Sequence, residues 1–158
     1  MNPIVITAAL NGPIGLKTDH PGLPTSPEEI AEAATAAYEA GASVVHLHIR
    51  DEHGLPTADL KVTQRVLDMV AERSPVLIQL STGVGLEVPY ADRARMVELR
   101  PRMASLNPCT MSFGNGEFRN PPAEVRKLAA RMKELGVKAE LEIYDSGHLD
   151  VCLALLKE

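Results

Sequence analysis

The sequence predicts an α/β fold, a (β/α)8 TIM barrel of which this chain supplies about five β/α units. Three observations favour that fold. Short β-branched runs alternate with helical stripes along the 158 residues, so the strands are expected to pair in parallel through right-handed crossovers. Polar residues follow nearly every strand, as the active-site face of a barrel requires, and no Gly-x-Gly-x-x-Gly follows the first strand. Because this last point disfavours the alternative, an open doubly wound sheet, we expect residues 1–158 to form one domain, the N-terminal portion of an incomplete barrel.

Local signals define the first β/α unit. Residues 3–10 are an apolar, β-branched run that predicts a strand, and Asn11-Gly12-Pro13 ends it as a loop. Ser26-Pro27-Glu28-Glu29 places a capping hydroxyl, a proline and a glutamate at the start of a helix, and Gly41 ends that helix before a second strand over residues 42–49. The predicted inward stripe of the helix is Ile30, Ala33, Ala34, Ala37 and Tyr38.

The same alternation continues along the chain. Three more strands are predicted over residues 76–80, 103–106 and 137–144. The helix before the first of them has the stripe Val62, Val66, Met69 and Val70, and a short charged helix over residues 88–99 follows that strand. Asn120-Pro121-Pro122 opens the next helix, closed by Gly136, with the stripe Val125, Leu128, Ala129, Met132 and Leu135. A final helix has the stripe Leu149, Cys152, Leu153 and Leu156.

Composition excludes several classes of function. The chain is 45% apolar and 23% charged, which describes a globular core, and 16 basic against 21 acidic residues give a net charge of −5 without a basic block. Such a surface repels a phosphate backbone, so we expect no nucleic-acid partner. No run approaches the roughly 20 apolar residues of a membrane span, and the N-terminus lacks a signal pattern. Two cysteines are too few for a disulfide framework, and a cytoplasmic location without membrane contact is therefore expected.

Two histidines on the second strand are the sharpest functional signal. His46 and His48 are separated by one residue, so their side chains lie on the same face of the strand, with Val45, Leu47 and Ile49 on the other. Imidazoles placed in this way suit a divalent metal, usually Zn²⁺. The alternative is a pair of core histidines hydrogen-bonded to carboxylates.

Zinc needs a third protein ligand, for which the chain offers three candidates near the last strand: Glu142, Asp145 and His148. Asp145 also fits a helix cap, as does Ser146, whereas a carboxylate between Leu141 and Ile143 needs a polar partner.

Small hydroxyl and glycine residues end two neighbouring strands. Ser81, Thr82 and Gly83 form a loop whose backbone N–H groups could reach a carboxylate or phosphate, although turn chemistry explains them equally well. Ser105 and Asn107, at the end of the next strand, either line a site or begin a loop. His20 and His53 have no partner spacing and are interpreted as solvated.

The combined motifs resemble the β-keto acid cleavage enzymes, whose founding activity is 3-keto-5-aminohexanoate cleavage. The resemblance follows the whole chain in order, through residues 6–9, Ser26-Pro27-Glu28-Glu29-Ile30, the 40–51 segment with His-Leu-His-Ile-Arg-Asp, Gln79-Leu80-Ser81-Thr82-Gly83, and residues 140–145. It implies a zinc-bearing barrel that condenses a β-keto acid with acetyl-CoA and releases acetoacetate and a new acyl-CoA.

The resemblance also implies roles for individual residues. His46 and His48 would be zinc ligands. The substrate carboxylate would be held by Ser81, with Thr82 and Gly83, and by Ser105. Glu142 would line the end of the pocket that holds the substrate side chain. The family's third ligand, a glutamate, and its arginine–aspartate base lie beyond Glu158. We also expect a homo-oligomer.

Ile14 stands where family members that act on the amino substrate carry an acid, which argues against a cationic tail. Two rival functions remain: a zinc hydrolase on a similar barrel, and a catalytically incomplete half-barrel fragment.

Overall fold

The computed structural model describes residues 3–157 as an α/β fold. Its strands are β1 (Thr7–Ala9), β2 (Val44–Leu47), β3 (Leu77–Leu80), β4 (Met103–Leu106), β5 (Met111–Phe113), β6 (Gly116–Phe118) and β7 (Lys138–Leu141). Its helices are α1 (Pro27–Glu39), α2 (Leu60–Arg73), α3 (Tyr90–Ala94), α4 (Pro122–Leu135) and α5 (Ser146–Leu155), and a 3₁₀ helix (Arg95–Leu99) continues α3.

Five of these strands form one parallel sheet in the order β1-β2-β3-β4-β7. The predicted parallel pairing of successive β/α units is therefore confirmed. The register places His46 of β2 between Ala9 of β1 and Gln79 of β3. Because all five strands run in one direction, their carboxyl ends meet at the same edge of the sheet, where the site described below lies.

The core lies between the sheet and the longer helices. On β2 and just after it, Val45, Leu47 and Ile49 are at most 1% exposed. They belong to a cluster with Ile30 and Ala34 of α1, Val66 and Val70 of α2, Met96 of the 3₁₀ helix, and Val125 and Met132 of α4. Burial of alternate strand residues on this face leaves the intervening residues, His46 among them, to face the opposite side.

The predicted helix boundaries are confirmed where local chemistry sets them. Ser26 and Glu29 form a reciprocal capping box at the start of α1, and Glu29 also accepts a hydrogen bond from the N–H of Thr25. Gly41 and Gly136 have φ of +107° and +71° where the chain leaves α1 and α4, a conformation that glycine adopts without strain. The predicted stripe of α1 needs one change, because Ala31 is buried and Tyr38 is 43% exposed.

Two features differ from the sequence prediction. The segment after β4, interpreted only as a loop, contains the antiparallel hairpin of β5 and β6, which turns at Gly114 with a φ of +59°. Cys152 is the one buried member of the apolar stripe that was predicted for the last helix. Helix α5 buries His148 and Cys152, while Leu149, Leu153 and Leu156 remain exposed among the described residues.

Both edges of the sheet carry exposed apolar side chains. Within residues 3–157, β1 pairs only with β2, and β7 pairs only with β4. Ile4 and Val5, just before β1, are more than 70% exposed, and Ile143 follows β7 with 46% exposure. Across the described residues, none of the helices combines the length and apolar character needed to cross a bilayer.

Candidate active site at the carboxyl ends of the strands

A cleft of about 890 Å³ opens at the carboxyl ends of the parallel strands. Residues far apart in the sequence meet there: Asn11 after β1, His46 and His48, Ser81 after β3, Asn107 after β4, and Glu142 after β7 are all among its lining residues. The sequence-predicted residues His46, His48, Ser81, Gly83 and Glu142 therefore lie in one cavity.

The two histidine rings converge as their spacing predicts. His46 Nε2 and His48 Nε2 are 3.2 Å apart, with ring centroids separated by 5.1 Å and planes inclined by 65°. The rings lie on the cleft side of β2, whereas Val45 and Leu47 lie in the core. The two Nε2 atoms are thus close enough to share one ligand.

Gln79 orients the His46 ring. Its side-chain Oε1 lies 2.7 Å from His46 Nδ1, a contact that the β2–β3 register provides because His46 and Gln79 are paired across the ladder. An amide oxygen can only accept, so Nδ1 carries the proton and Nε2 keeps its lone pair, which faces His48 Nε2. Sequence reasoning missed Gln79, although a glutamine inside the apolar run Leu77–Leu80 is the kind of residue that needs a buried partner.

His48 is fixed through its backbone by Asn11. The His48 N–H donates to Asn11 Oδ1 at 2.9 Å, and Asn11 Nδ2 donates to the carbonyls of His48 and Pro24, each at 3.0 Å. The ring itself is buried, and its Nδ1 has no hydrogen-bond partner among the described residues. Burial, with the charges of His46 and Arg50, lowers the pKa of His48 to about 3. The ring is therefore neutral at physiological pH, the form that ligates metals.

The Ser81–Gly83 loop presents one hydroxyl to the cleft. Ser81 lines the cavity, and its Oγ accepts the N–H of Gly83 at 3.2 Å, which leaves the hydroxyl proton free to donate. Thr82 is buried and does not line the cavity.

Ser105 is placed differently from the expectation that it lines the cavity. It is fully buried behind the loop, where Thr82 N–H donates to Ser105 Oγ at 3.0 Å and Thr82 Oγ1 donates to the Ser105 carbonyl at 2.8 Å. The hydroxyl oxygen and the carbonyl oxygen of Ser105 both accept hydrogen bonds from Thr82, and these two bonds join the end of β3 to the end of β4. In this structure Ser105 positions the Ser81–Gly83 loop.

Glu142 lies in the cleft with a specific partner. Asn107 Nδ2 donates to Glu142 Oε2 at 2.6 Å, and the Tyr144 hydroxyl lies 3.4 Å from the same oxygen. Burial raises the pKa of Glu142, and the Asn107 hydrogen bond and the His46 charge only partly oppose that shift. The buried carboxyl group is a candidate for holding or accepting a proton.

The other two candidate ligands of the last strand are engaged elsewhere. Asp145 Oδ1 caps α5 by accepting the N–H of His148 at 3.1 Å, as the helix-cap interpretation predicted. His148, in the first turn of α5, is buried; its Nδ1 accepts the N–H of Tyr144 at 3.3 Å, and its Nε2 lies 3.3 Å from Asp145 Oδ2. Residues 3–157 contain no cluster of three or more His, Cys, Asp or Glu side chains placed to hold a metal ion together. Of the candidate ligands that the sequence offered, His46 and His48 are the pair whose ring nitrogens come together in the cleft.

Two buried arginines, both missed by the sequence analysis, fix the loops around the cleft. Arg50 donates to the carbonyl of Gly12 and, at 2.9 Å, to that of Gly54, so it ties the loop after β1 to the turn after β2. Arg50 is 1% exposed, and burial lowers the pKa of its guanidinium. The His-x-His-x-Arg-Asp run was a signal that Arg50 lies close to the site, but only the fold brings Arg50 to the carbonyls of Gly12 and Gly54.

Arg93 attaches the hairpin to the β3 loop. It donates to Asn120 Oδ1 at 3.0 Å, to the Thr82 carbonyl at 3.4 Å and to the Arg119 carbonyl. Its guanidinium also lies 4.4 Å from the ring centroid of Phe118 and 4.6 Å from that of Tyr90. Arg93 therefore holds the β5–β6 hairpin against the cleft.

Comparison with known proteins gives the same family along the whole chain. The family model described as beta-keto acid cleavage enzyme matches residues 3–158. The chain is 37% identical over 160 residues to the 3-keto-5-aminohexanoate cleavage enzyme of Fusobacterium nucleatum subsp. nucleatum, a match that covers 100% of this chain and 59% of that protein. It is 38% identical over 144 residues to the 3-oxoadipate:acetyl-CoA acetyltransferase of Cupriavidus necator, covering 90% of this chain and 50% of that protein.

A solved structure, the apo structure of ObcA, superposes with a TM-score of 0.73 at 26% identity, over 87% of this chain and 33% of that one. The chain spans about three fifths of the length of the 3-keto-5-aminohexanoate cleavage enzymes that it matches. The match of the family model over nearly all residues shows that this chain belongs to the beta-keto acid cleavage enzyme family.

Proposed function

We propose that the chain is the N-terminal part of a zinc-dependent β-keto acid:acetyl-CoA cleavage enzyme built on a (β/α)8 barrel. The reaction converts a β-keto acid and acetyl-CoA into acetoacetate and a new acyl-CoA. The observation that carries the proposal is the convergence of His46 and His48 beside Ser81 and Glu142 in one cleft. Relatives named as cleavage enzymes and acetyl-CoA transferases support the reaction, and five parallel strands are compatible with the first five units of a barrel.

The two histidines fit a zinc ion. Nitrogen atoms that are each about 2.0–2.1 Å from a tetrahedral ion lie about 3.4 Å apart, and the two Nε2 atoms are separated by 3.2 Å. Gln79 holds His46 Nδ1 in the manner of an outer-shell acceptor, and the low pKa of His48 keeps its ring neutral. When bound, zinc supplies Lewis acidity toward a carbonyl oxygen. The third ligand, implied by the family resemblance, is a late-strand glutamate beyond the described residues.

The chain's own polar groups would bind and orient the keto acid. The Ser81 hydroxyl donates to the substrate carboxylate, and the Thr82–Ser105 pair keeps the Ser81–Gly83 loop in position. Glu142, held by Asn107, contacts the other end of the substrate as a hydrogen-bonding group. The catalytic base, by the same resemblance, belongs to the later part of the barrel.

We further propose that the protein works as a homo-oligomer in the cytoplasm, with small-molecule substrates as its ligands. The exposed apolar residues Ile4, Val5 and Ile143 at the two sheet edges support association. Later β/α units, from the same protein or from a partner, would cover those edges when the barrel closes.

Metal content and thioester exchange test the proposal. We expect the purified protein to bind zinc, and His46→Ala and His48→Ala to lose it, while His53→Ala, which removes an exposed histidine, retains it. Ser81→Ala should weaken acetoacetate binding and leave zinc content unchanged, since only a donor to the carboxylate is lost. Incubation with acetyl-CoA and β-keto acids should give exchanged thioesters by mass spectrometry. Unchanged zinc content in both histidine variants would overturn the metal site, and keto acid hydrolysis without CoA would favour a zinc hydrolase.

A further inference from the structure

We propose that the cleft selects β-keto acids with an uncharged, apolar tail. This inference rests on the proposed function and specifies the class of β-keto acid that the enzyme would use. The observation is the set of large apolar side chains that line the cleft together with the polar groups. We define the apolar wall as Ile14, Leu55, Leu86, Met111, Phe113 and Phe118.

The wall is built by the loops that extend beyond the strand ends. Met111, Phe113 and Phe118 come from the β5–β6 hairpin, and Leu86 comes from the loop after β3. A Cβ atom added at Gly116 would lie 2.7 Å from Leu86 Cδ1, so the hairpin and the β3 loop are in direct contact. The hairpin and Leu86 therefore form adjoining parts of the wall, and Arg93 stacks on Phe118.

The polar groups occupy the other part of the cleft. His46 lies on β2, and His48, Ser81, Asn107 and Glu142 lie within two residues of the ends of their strands. A keto acid whose carboxylate contacts Ser81 and whose keto group faces the histidines would extend its tail away from the strand ends, along the apolar wall. Burial of that tail against aliphatic and aromatic side chains is favourable in proportion to its apolar area.

Charge in the cleft disfavours charged tails of either sign. Within residues 3–157 the lining set contains no lysine or arginine, so these residues offer a second carboxylate no cation to pair with. Its two acids, Glu142 and Glu87, offer little to an ammonium group. Burial raises the pKa of Glu142, whose carboxyl group already accepts a bond from Asn107, and Glu87 is exposed to solvent. An uncharged tail loses nothing in this environment.

Binding of a matched series of keto acids tests the inference. The probes are acetoacetate, 3-oxohexanoate, 3-oxooctanoate, the dicarboxylate 3-oxoadipate and 3-keto-5-aminohexanoate, each titrated against the zinc-loaded protein and followed by ligand-observed NMR. We expect affinity to rise about fourfold per buried methylene along the uncharged series. Both charged-tail acids should bind at least tenfold more weakly than 3-oxohexanoate. Equal or tighter binding of either charged acid, or a flat uncharged series, would overturn the inference.

Two variants locate the tail. Phe113→Ser and Leu86→Ser should flatten the chain-length dependence, because each lowers the affinity for 3-oxooctanoate, which has a tail to bury, more than the affinity for acetoacetate, which has none. Ser112→Ala is the matched control, since Ser112 lies between Met111 and Phe113 on the same strand but outside the lining set. If acetoacetate itself fails to bind to the wild-type protein, the proposed function fails. If acetoacetate binds and both variants keep the wild-type chain-length dependence, only the inference about the tail fails.

Discussion

Replacement of Gln79 by leucine should separate metal affinity from stability. In the wild-type protein the Gln79 amide oxygen accepts from His46 Nδ1 at 2.7 Å, and this bond places the free lone pair on Nε2. Leucine has a similar size but no acceptor. We expect the His46 ring to shift toward the tautomer with the proton on Nε2, the atom that faces His48.

The structure sets the size of each effect. Loss of the hydrogen bond costs about 1 kcal/mol, but Gln79 Nε2 has no partner among the described residues, so removing the amide also removes an unsatisfied buried group. The net loss in the free energy of unfolding should therefore stay near 1 kcal/mol. Zinc affinity should fall about 10- to 100-fold, as it does when an outer-shell partner of a ligating histidine is lost.

Three measurements check this prediction. Competition with a chelating dye gives zinc affinity, urea unfolding gives the free energy, and ¹⁵N chemical shifts of the His46 ring report the tautomer in metal-free protein. Gln79→Glu is the control, because a carboxylate also accepts from Nδ1 and should preserve zinc affinity despite the cost of a buried charge. If Gln79→Leu keeps both the Nδ1–H tautomer and wild-type zinc affinity, Gln79 does not orient His46.

Four further predictions follow from single contacts. Arg93→Met should lower the free energy of unfolding by about 3 kcal/mol, measured by urea titration, because it strands buried acceptors that include Asn120 Oδ1. Glu29→Gln should cost about 1 kcal/mol at pH 7; since hydrogen bonds lower the pKa of Glu29 from 4.5 to about 2, this difference should vanish as pH falls through that window. Burial raises the pKa of Glu142, so wild-type stability should fall as pH rises from the ordinary carboxyl range through the raised pKa, and Glu142→Gln should lack that slope. Concentration-dependent association in sedimentation experiments should weaken in Val5→Lys, which puts a charge at the exposed β1 edge, and a strictly monomeric wild type would contradict this expectation.

Elements with local causes were predictable from the sequence. The capping box at Ser26 and Glu29 acts over three residues, and the glycine ends at Gly41 and Gly136 depend on one residue's φ angle. The β5–β6 hairpin was missed even though its Gly-Asn turn is a local signal, because each of its strands has only three residues, too few to show an alternating pattern. The buried face of α5 could not be read from its stripe, since several faces of that helix are apolar and only packing selects one.

The sequence by itself determined that His46 and His48 share a face, because a strand alternates its side chains with a period of two whatever surrounds it. It also indicated that the strands pair in parallel, since strands that alternate with helices are joined by right-handed crossovers. Only the tertiary structure decided that Gln79 orients His46, that Ser105 turns behind the Ser81–Gly83 loop, and that Arg93 joins the hairpin to the cleft. These contacts join residues 11 to 33 positions apart, so they depend on strand register and loop closure, which no local pattern of residues encodes.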